Sequence, residues 1–375
     1  MADWRSGSRT GGFFFRRITW PDFKDAELYG YAVGGALEMS ALSDVKINGT
    51  LQFDGEPPDP DSLIRVYYGF TDGDGGYESV PVATMQVQAA SPDITEAEGG
   101  TAKQGTAALV SVLQVLKDVD LNAPYTVKAG EQVIGTAMAL IAERGLPTNN
   151  PNQSAYAMSR DYTFPADEAN LLHIVNTLLG FAGYSSAWVD ANGVVQITPY
   201  VEPGDREAVI TFEAGEDSVM YPTAGYRNDW GGTPNVVRLS YSTDAEVLTA
   251  YAVNVDPAHK ASLPSRGGRE KTLAESVTEL AGETQAQRLA NLEAMAASKL
   301  QENSAEIEYV EIPCAYMPIV PNDAALVRYG GIDWKGAVTN YKVNLSDDSD
   351  ALARIRRFTR TALKIEMGGE VAWTA

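Results

Sequence analysis

Catalytic chemistry in a protein usually starts from histidine, cysteine or an activated serine, and this chain holds two histidines, His173 and His259, and one cysteine, Cys314. His259 follows Asp256 by three residues, with Ser262 and Ser265 close behind in a polar stretch. A histidine–aspartate pair does nucleophilic work only when a serine or cysteine lies within hydrogen-bond reach. Neither serine stands in the G-x-S-x-G turn that presents such a nucleophile. His173, inside LLHIVNTLL, reads as a helix residue at the edge of an apolar stripe. Cys314, inside EIPCAYM, reads as a buried and inert thiol. A single cysteine forms no intrachain disulfide and no cysteine cluster for a metal.

The acidic residues offer no better start. Asp72-Gly73-Asp74-Gly75-Gly76 has the acids of a calcium loop but neither its spacing nor its final glutamate, and reads as a hairpin turn between two strand-like runs. Gly30, Gly34 and Gly35 form no G-x-G-x-x-G opening a helix, which excludes a dinucleotide fingerprint. Sugar cleavage needs two carboxyl groups facing each other about 5 to 9.5 Å apart across a cleft. Among 50 scattered aspartates and glutamates, no such pair stands out. The expectation is no enzyme, and no catalytic, cofactor-binding or metal-binding residue.

The 50 acidic residues face 29 lysines and arginines, a formal net charge of -21. That sign opposes salt-dependent clamping of nucleic acid and suits a surface along which DNA slides without sticking. Against this background Arg354, Arg356, Arg357, Arg360 and Lys364 form the strongest basic concentration. They read as a solvated face paired with acidic neighbours, or as a docking surface for an acidic partner subunit. Weak aromatic interleaving argues against a nucleic-acid platform there.

The elements that must position these residues are written in the hydrophobic pattern. At 44% apolar, 375 residues suffice for two to four domains. Val45, Ile47, Gly49, Leu51 and Phe53 alternate with mostly polar residues, as in a half-buried strand. Strand texture continues through SLIRVYYGFTDG at 62–73 and YESVPVATMQVQAA at 77–90, while AALVSVLQVLKD at 107–118 fits a strand or a short helix. This section predicts a mostly antiparallel sheet or small barrel of roughly 110 residues.

After Leu121 the period changes. Val133, Ile134, Met138, Ile141 and Ala142 recur at helical spacing before Gly145 and Pro147. Leu171, Leu172, Val175, Leu178 and Leu179 form a second stripe that ends at Gly180 or Gly183, and Asn192-Gly193 turns a hairpin. Strands return at 208–222 and 233–242, and residues 254–270 read as an exposed loop. A helix begins near Thr284, with Leu289, Leu292 and Met295 or Ala296 as its narrow apolar face. Strand-like segments follow at 306–318 and 325–348, and the remainder is open between a short helix and a strand pair. No run reaches the about 18 apolar residues of a spanning helix or makes a signal peptide, so synthesis in the cytoplasm without a membrane anchor is expected.

Several stretches, taken in order, carry a family resemblance. They are RRITWPDF at 16–23, GGALEMSALSDVKINGTLQFDG at 34–55 with Lys46, Gly49, Leu51, Phe53 and Gly55 in register, APYTVKAGEQV at 123–133, LLHIVNTLLGFAGYSSAWVDANGVVQITPY at 171–200, FEAGEDS at 212–218 and NDWGGTPNVVRLSY at 228–241. The sequence resembles the minor tail proteins of long-tailed, siphovirus-like bacteriophages, in the gp27-like baseplate or tail-tip hub family. The resemblance covers most of the chain and brings no catalytic residue with it.

It implies a mainly β fold with α+β parts: a first tail-tube-like antiparallel β-barrel at 1–120, an α+β peripheral domain at 121–207, a second barrel at 208–253 and 306–375, and an inserted loop-helix stretch at 254–305. It further implies a homotrimeric ring of pseudo-sixfold symmetry at the virion tail tip. That ring would join the hexameric tail tube to threefold components around the DNA channel, and closed symmetry would end the assembly cleanly. Implied partners are distal tail or tail-tube rings, the tape measure protein and tail fibres or spikes, with phage DNA passing through without specific binding. The alternative is a module that binds a host-surface receptor or glycan; Trp188, Tyr226 and Trp230 gathered in one solvent-facing groove would favour it.

Overall fold

In the computed structural model the residues described are 10–71, 76–97, 100–149, 151, 156–166, 169–201, 204–215, 218–228, 231–243, 245–277, 280, 282–303, 308–346, 350–357 and 363–374. The chain divides into two units, Met1–Ala224 with Glu311–Ile355, and Gly225–Val310 with Arg356–Ala375.

The first unit opens with β1 (Thr10–Ile18), β2 (Asp25–Leu28), β3 (Ala32–Ser40), β4 (Ile47–Asp54), β5 (Leu63–Thr71), β6 (Tyr77–Ala97) and β7 (Gly100–Ser111). They pair antiparallel in the order β2-β1-β5-β6-β7-β4-β3. The alternation predicted for β4 holds: Ile47, Leu51 and Phe53 are buried while Asn48, Thr50, Gln52 and Asp54 face water. Gly55, just past this strand, has φ +124°, and a Cβ there would strike the ring of Tyr31. Glycine is therefore required at the end of the spacing that carries the resemblance.

The segment 107–118 is strand as far as Ser111 and then the short helix α1 (Gln114–Lys117), so both readings apply to different parts. There follow β8 (Tyr125–Val127), α2 (Val133–Ala142), β9 (Tyr162–Phe164), α3 (Leu171–Phe181), β10 (Trp188–Val189), β11 (Val195–Gln196) and β12 (Ala208–Glu213). Both predicted helices form. Asn170 caps α3, its Oδ1 accepting the His173 N–H at 2.9 Å. Ile134, Ile141, Ile174, Val175, Leu178 and Leu179 pack into one core with Ile18, Phe23 and Leu63 from the large sheet. Each side chain of this size stabilises by about 1.5–3 kcal/mol when buried.

In the second unit lie β13 (Gly225–Asn228), β14 (Val236–Ser242), β15 (Glu246–Asn254), β16 (Thr272–Val277) and α4 (Gln285–Asn303). Next come β17 (Glu308–Ala315), β18 (Ala324–Tyr329), β19 (Ile332–Asn344), β20 (Asp350–Arg357) and β21 (Ile365–Thr374), so the final section, left open above, is strand. The second unit's sheet runs β16-β14-β15-β21. Leu292, Ala296 and Leu300 of α4 pack on Val237, Leu239, Leu248, Ala250 and Ala252. Ala296, not Met295, completes the apolar face, since Met295 remains 38% exposed.

The two barrels implied by the resemblance are not formed; among the described residues no sheet closes on itself. Asn340–Asn344 of β19 pair with β3, so the second strand-rich section adds to the first sheet edge to edge. The earlier part of β19 pairs with β18, which also carries β12 in parallel. At the far end the sheet stops at the four-residue β2, which pairs with β1. A barrel needs its first and last strands to pair, and β19, the strand that might have closed a second one, is shared between β18 and β3. The fold is a mixture of helices and several open, largely antiparallel sheets.

Burial along α4 makes a direct prediction. Leu292→Ala should lower stability by about 2–5 kcal/mol, and Met295→Ala by less than about 1 kcal/mol, as read by thermal or urea unfolding. Equal costs at the two positions would contradict the packing.

Candidate functional site

The sequence-derived candidates are not assembled into a catalytic constellation. Residues 254–270 are exposed as expected at Pro257, Lys260, Pro264, Ser265 and from Gly267 to Glu270, but Asn254, Asp256, His259 and Ser262 turn inward and are buried. Asn254 organises the turn, its Oδ1 accepting the Asp256 N–H at 3.1 Å and its Nδ2 meeting His259 Nδ1 at 3.0 Å. Asp256 Oδ1 accepts the Ala258 N–H, and the Ser262 hydroxyl donates to Ser265 Oγ. These bonds satisfy a buried turn, and none of them is the serine–histidine contact of a triad. His173 is exposed on α3 with Phe164 edge-on to its ring, and Cys314 is buried. The Asp72–Asp74 part of the acidic hairpin lies outside the described residues, as do Trp230 and Arg360. Trp188 belongs to the first unit and Tyr226 to the second. Among the described residues, no group of three or more histidine, cysteine, aspartate or glutamate side chains could hold a metal ion. No described helix is long and apolar enough to cross a membrane.

A junction that the motif reading missed lies around Arg65. Its side chain is 7% exposed. Nε donates to Thr84 Oγ1 at 2.8 Å, Nη1 to Asp25 at 2.7 Å, and Nη2 to the carbonyls of Phe23 and Asn192 at 3.0 and 2.8 Å. The Thr84 hydroxyl in turn donates to the Ala191 carbonyl at 2.8 Å. One guanidinium thus ties the β1–β2 corner and β6 to the predicted Asn192-Gly193 turn. Gly193 has φ +85°, and a Cβ there would meet the Phe23 ring at 2.6 Å. The sequence signal is a lone arginine in the apolar strand LIRVYYGF, because charged side chains are seldom buried without partners.

Beside this junction the first unit encloses a cavity of 330 Å³. Met39, Ile47, Trp188, Val201 and Pro321 are among its apolar walls, and Lys46, Arg206 and Asp323 are its charged lining. Lys46 Nζ donates to the Ala41 carbonyl at 2.8 Å, and burial holds its ammonium below the usual lysine range. Arg206 is anchored by bonds to the carbonyls of Val201 and Asn322. Burial pushes the Asp323 carboxyl up, although it accepts the Val320 N–H at 2.9 Å.

In the second unit the basic concentration finds acidic partners. The Glu308 side chain is 2% exposed, and it accepts from Arg357 Nη1 at 2.7 Å with Lys260 Nζ at 3.5 Å. Burial alone would raise its carboxyl, but hydrogen bonds from Arg357 and Tyr226 and the charges of Arg357 and Lys260 hold it below the ordinary range. In the first unit, Arg354 pairs with Glu311 at 2.6 Å. Arg354 and Arg357 are therefore paired with acidic neighbours, the simpler of the two readings of the cluster.

No protein-family model matches the chain, and no curated protein matches it by sequence. Solved structures do. The tail protein from Neisseria meningitidis MC58 is 13% identical, with 92% of this chain and 97% of that one covered at a TM-score of 0.60. The 43 kDa tail protein of prophage MuSo2 from Shewanella oneidensis is 12% identical, with 92% and 98% covered at 0.61. A chain of the Francisella PdpA–VgrG complex is 9% identical, with 97% of this chain and 55% of that one covered at 0.54. These are distant structural matches, and what they share with this chain is the fold.

Two measurements probe these networks. Arg65→Met should cost about 2–4 kcal/mol in denaturant unfolding, since it strands Asp25, Thr84 and two carbonyls at once. Arg65→Lys should recover only part, because an ammonium lacks the planar fork that reaches all four; full recovery would contradict the bonding. Because the folded-state pKa of Glu308 lies below its unfolded value, its stabilisation is complete above the ordinary carboxylate range and is lost as pH falls through the depressed value. Glu308→Gln should flatten that acid limb of the stability profile; an unchanged limb would exclude the linkage.

Proposed function

We propose that this chain is a structural, non-enzymatic hub of the bacteriophage tail tip or baseplate. In this reading three copies form a ring of pseudo-sixfold symmetry, which joins the hexameric tail tube to threefold tip components and surrounds the DNA channel. The main support is the fold shared over 92% of the chain with two proteins described as tail proteins, one of them from a prophage. Net charge adds to it, since a lumen drawn from a chain of -21 repels phosphate and lets DNA pass without pausing. With no closed barrel among the described residues, the match to a six-subunit tube has to come from open sheets that neighbouring copies complete. Residues 121–207 are the proposed peripheral domain. The proposed partners are distal tail or tail-tube rings, the tape measure protein and fibres or spikes, within a virion assembled after synthesis in the host cytoplasm.

A gold-labelled antibody raised against the folded chain should mark one end of the tail in electron micrographs of intact particles. Label on the capsid, along the tube, or on no particle at all would overturn the proposal. Filter binding of duplex DNA to the purified protein at low salt should show no retention; strong retention would contradict the sliding surface.

A further inference from the structure

Two features of the first unit are left unused by its own packing. One is the 330 Å³ cavity, a volume within the range of sites that bury a ligand. Of its apolar lining, Val201 is 44% exposed, and the adjacent residue, Tyr200, is 53% exposed. Its charges are two cations, Lys46 and Arg206, against the single carboxylate of Asp323, in a chain that is otherwise strongly acidic. The cations are held in place by backbone carbonyls, so their positive ends are positioned in advance.

The other feature is the tip of the β6–β7 hairpin. The β5 ladder reaches β6 only as far as Gln86, and the β4 ladder reaches β7 only as far as Gln104. The pairs from Ile94↔Lys103 to Ala97↔Gly100 therefore stand as a two-stranded ribbon. Such a ribbon is marginally stable in water by itself. Residues 91–96 are exposed, and Ile94, 64% exposed, sits next to Asp93 and two residues before Glu96.

We propose that the ribbon of one copy docks into the cavity of the next, with Ile94 against the wall of Trp188, Val201 and Pro321, and with Glu96, on the same face of the strand as Ile94, directed to Lys46 and Arg206. This rests on the self-association in the hub reading and names the surfaces that make it. Apolar side chain meets apolar wall, and an acid meets two anchored cations, which is the complementarity that selects and orients a partner. Donor and acceptor surfaces are different parts of the chain, so the contact is heterologous, the kind that generates a ring when its rotation closes.

The test uses the full chain carrying Ile94→Cys and Ser186→Cys, Ser186 being a cavity residue, with Cys314 buried and out of reach. Mild oxidation should give disulfide-linked multimers from the double variant, and no ladder of linked copies from either single variant. As a second arm, Glu96→Lys should weaken association in sedimentation by about tenfold or more, and adding Lys46→Glu with Arg206→Glu should restore it. Oligomers that form without the cross-link, or a charge swap that restores nothing, would overturn the docking and leave the hub reading standing. A chain that remains monomeric at every concentration, with no cross-link, also overturns the docking; labelling of the tail then decides the hub reading separately.

Discussion

Arg65 cannot be buried alone. Removing a guanidinium from water costs several kcal/mol unless its donors are met, and here they are met by groups from three places: the β1–β2 corner, β6, and the turn after β10. The arginine therefore fixes where the α+β module stands on the large sheet. The shared apolar core, in which Phe23 and Leu63 join the residues of α2 and α3, supplies most of the attraction. Hydrophobic burial is non-directional; the bonds at Arg65 choose one arrangement from those that burial alone would allow. The walls of the cavity, drawn from β3, β4, β10 and the segments on either side, inherit that arrangement.

The sequence was most legible where periodicity is local. The stripes that became α2, α3 and α4, the alternation of β4, and the Asn192-Gly193 turn all formed as their spacing predicts. Alternation reports which face of a strand is buried but not which strand lies beside it. That is why the barrels were expected and an open sheet was found: the pairing of β19 with β3 joins residues about 300 positions apart, and no local pattern encodes it. The inward part of the 254–270 loop was misread for a related reason. Its prolines and polar residues look solvated in sequence, yet Asn254 and Asp256 use their side chains to satisfy the backbone and let the turn go inward.

The cavity and the Arg65 junction could not be read, because their members come from distant segments and are recognisable only once the chain is folded. Lys46 is the exception, since it stands in the spacing that carries the family resemblance. In the structure its ammonium lines the cavity.

The proposed tail-tip role would account together for the shared fold and the acidic balance. The most direct test is a side-chain-resolution reconstruction of the assembled tail tip by electron microscopy. Three copies of this chain around a continuous channel, with open sheets meeting between neighbours, are the predicted result. A single copy at the end of a fibre, or a closed pocket with converging carboxyl groups, would contradict the account.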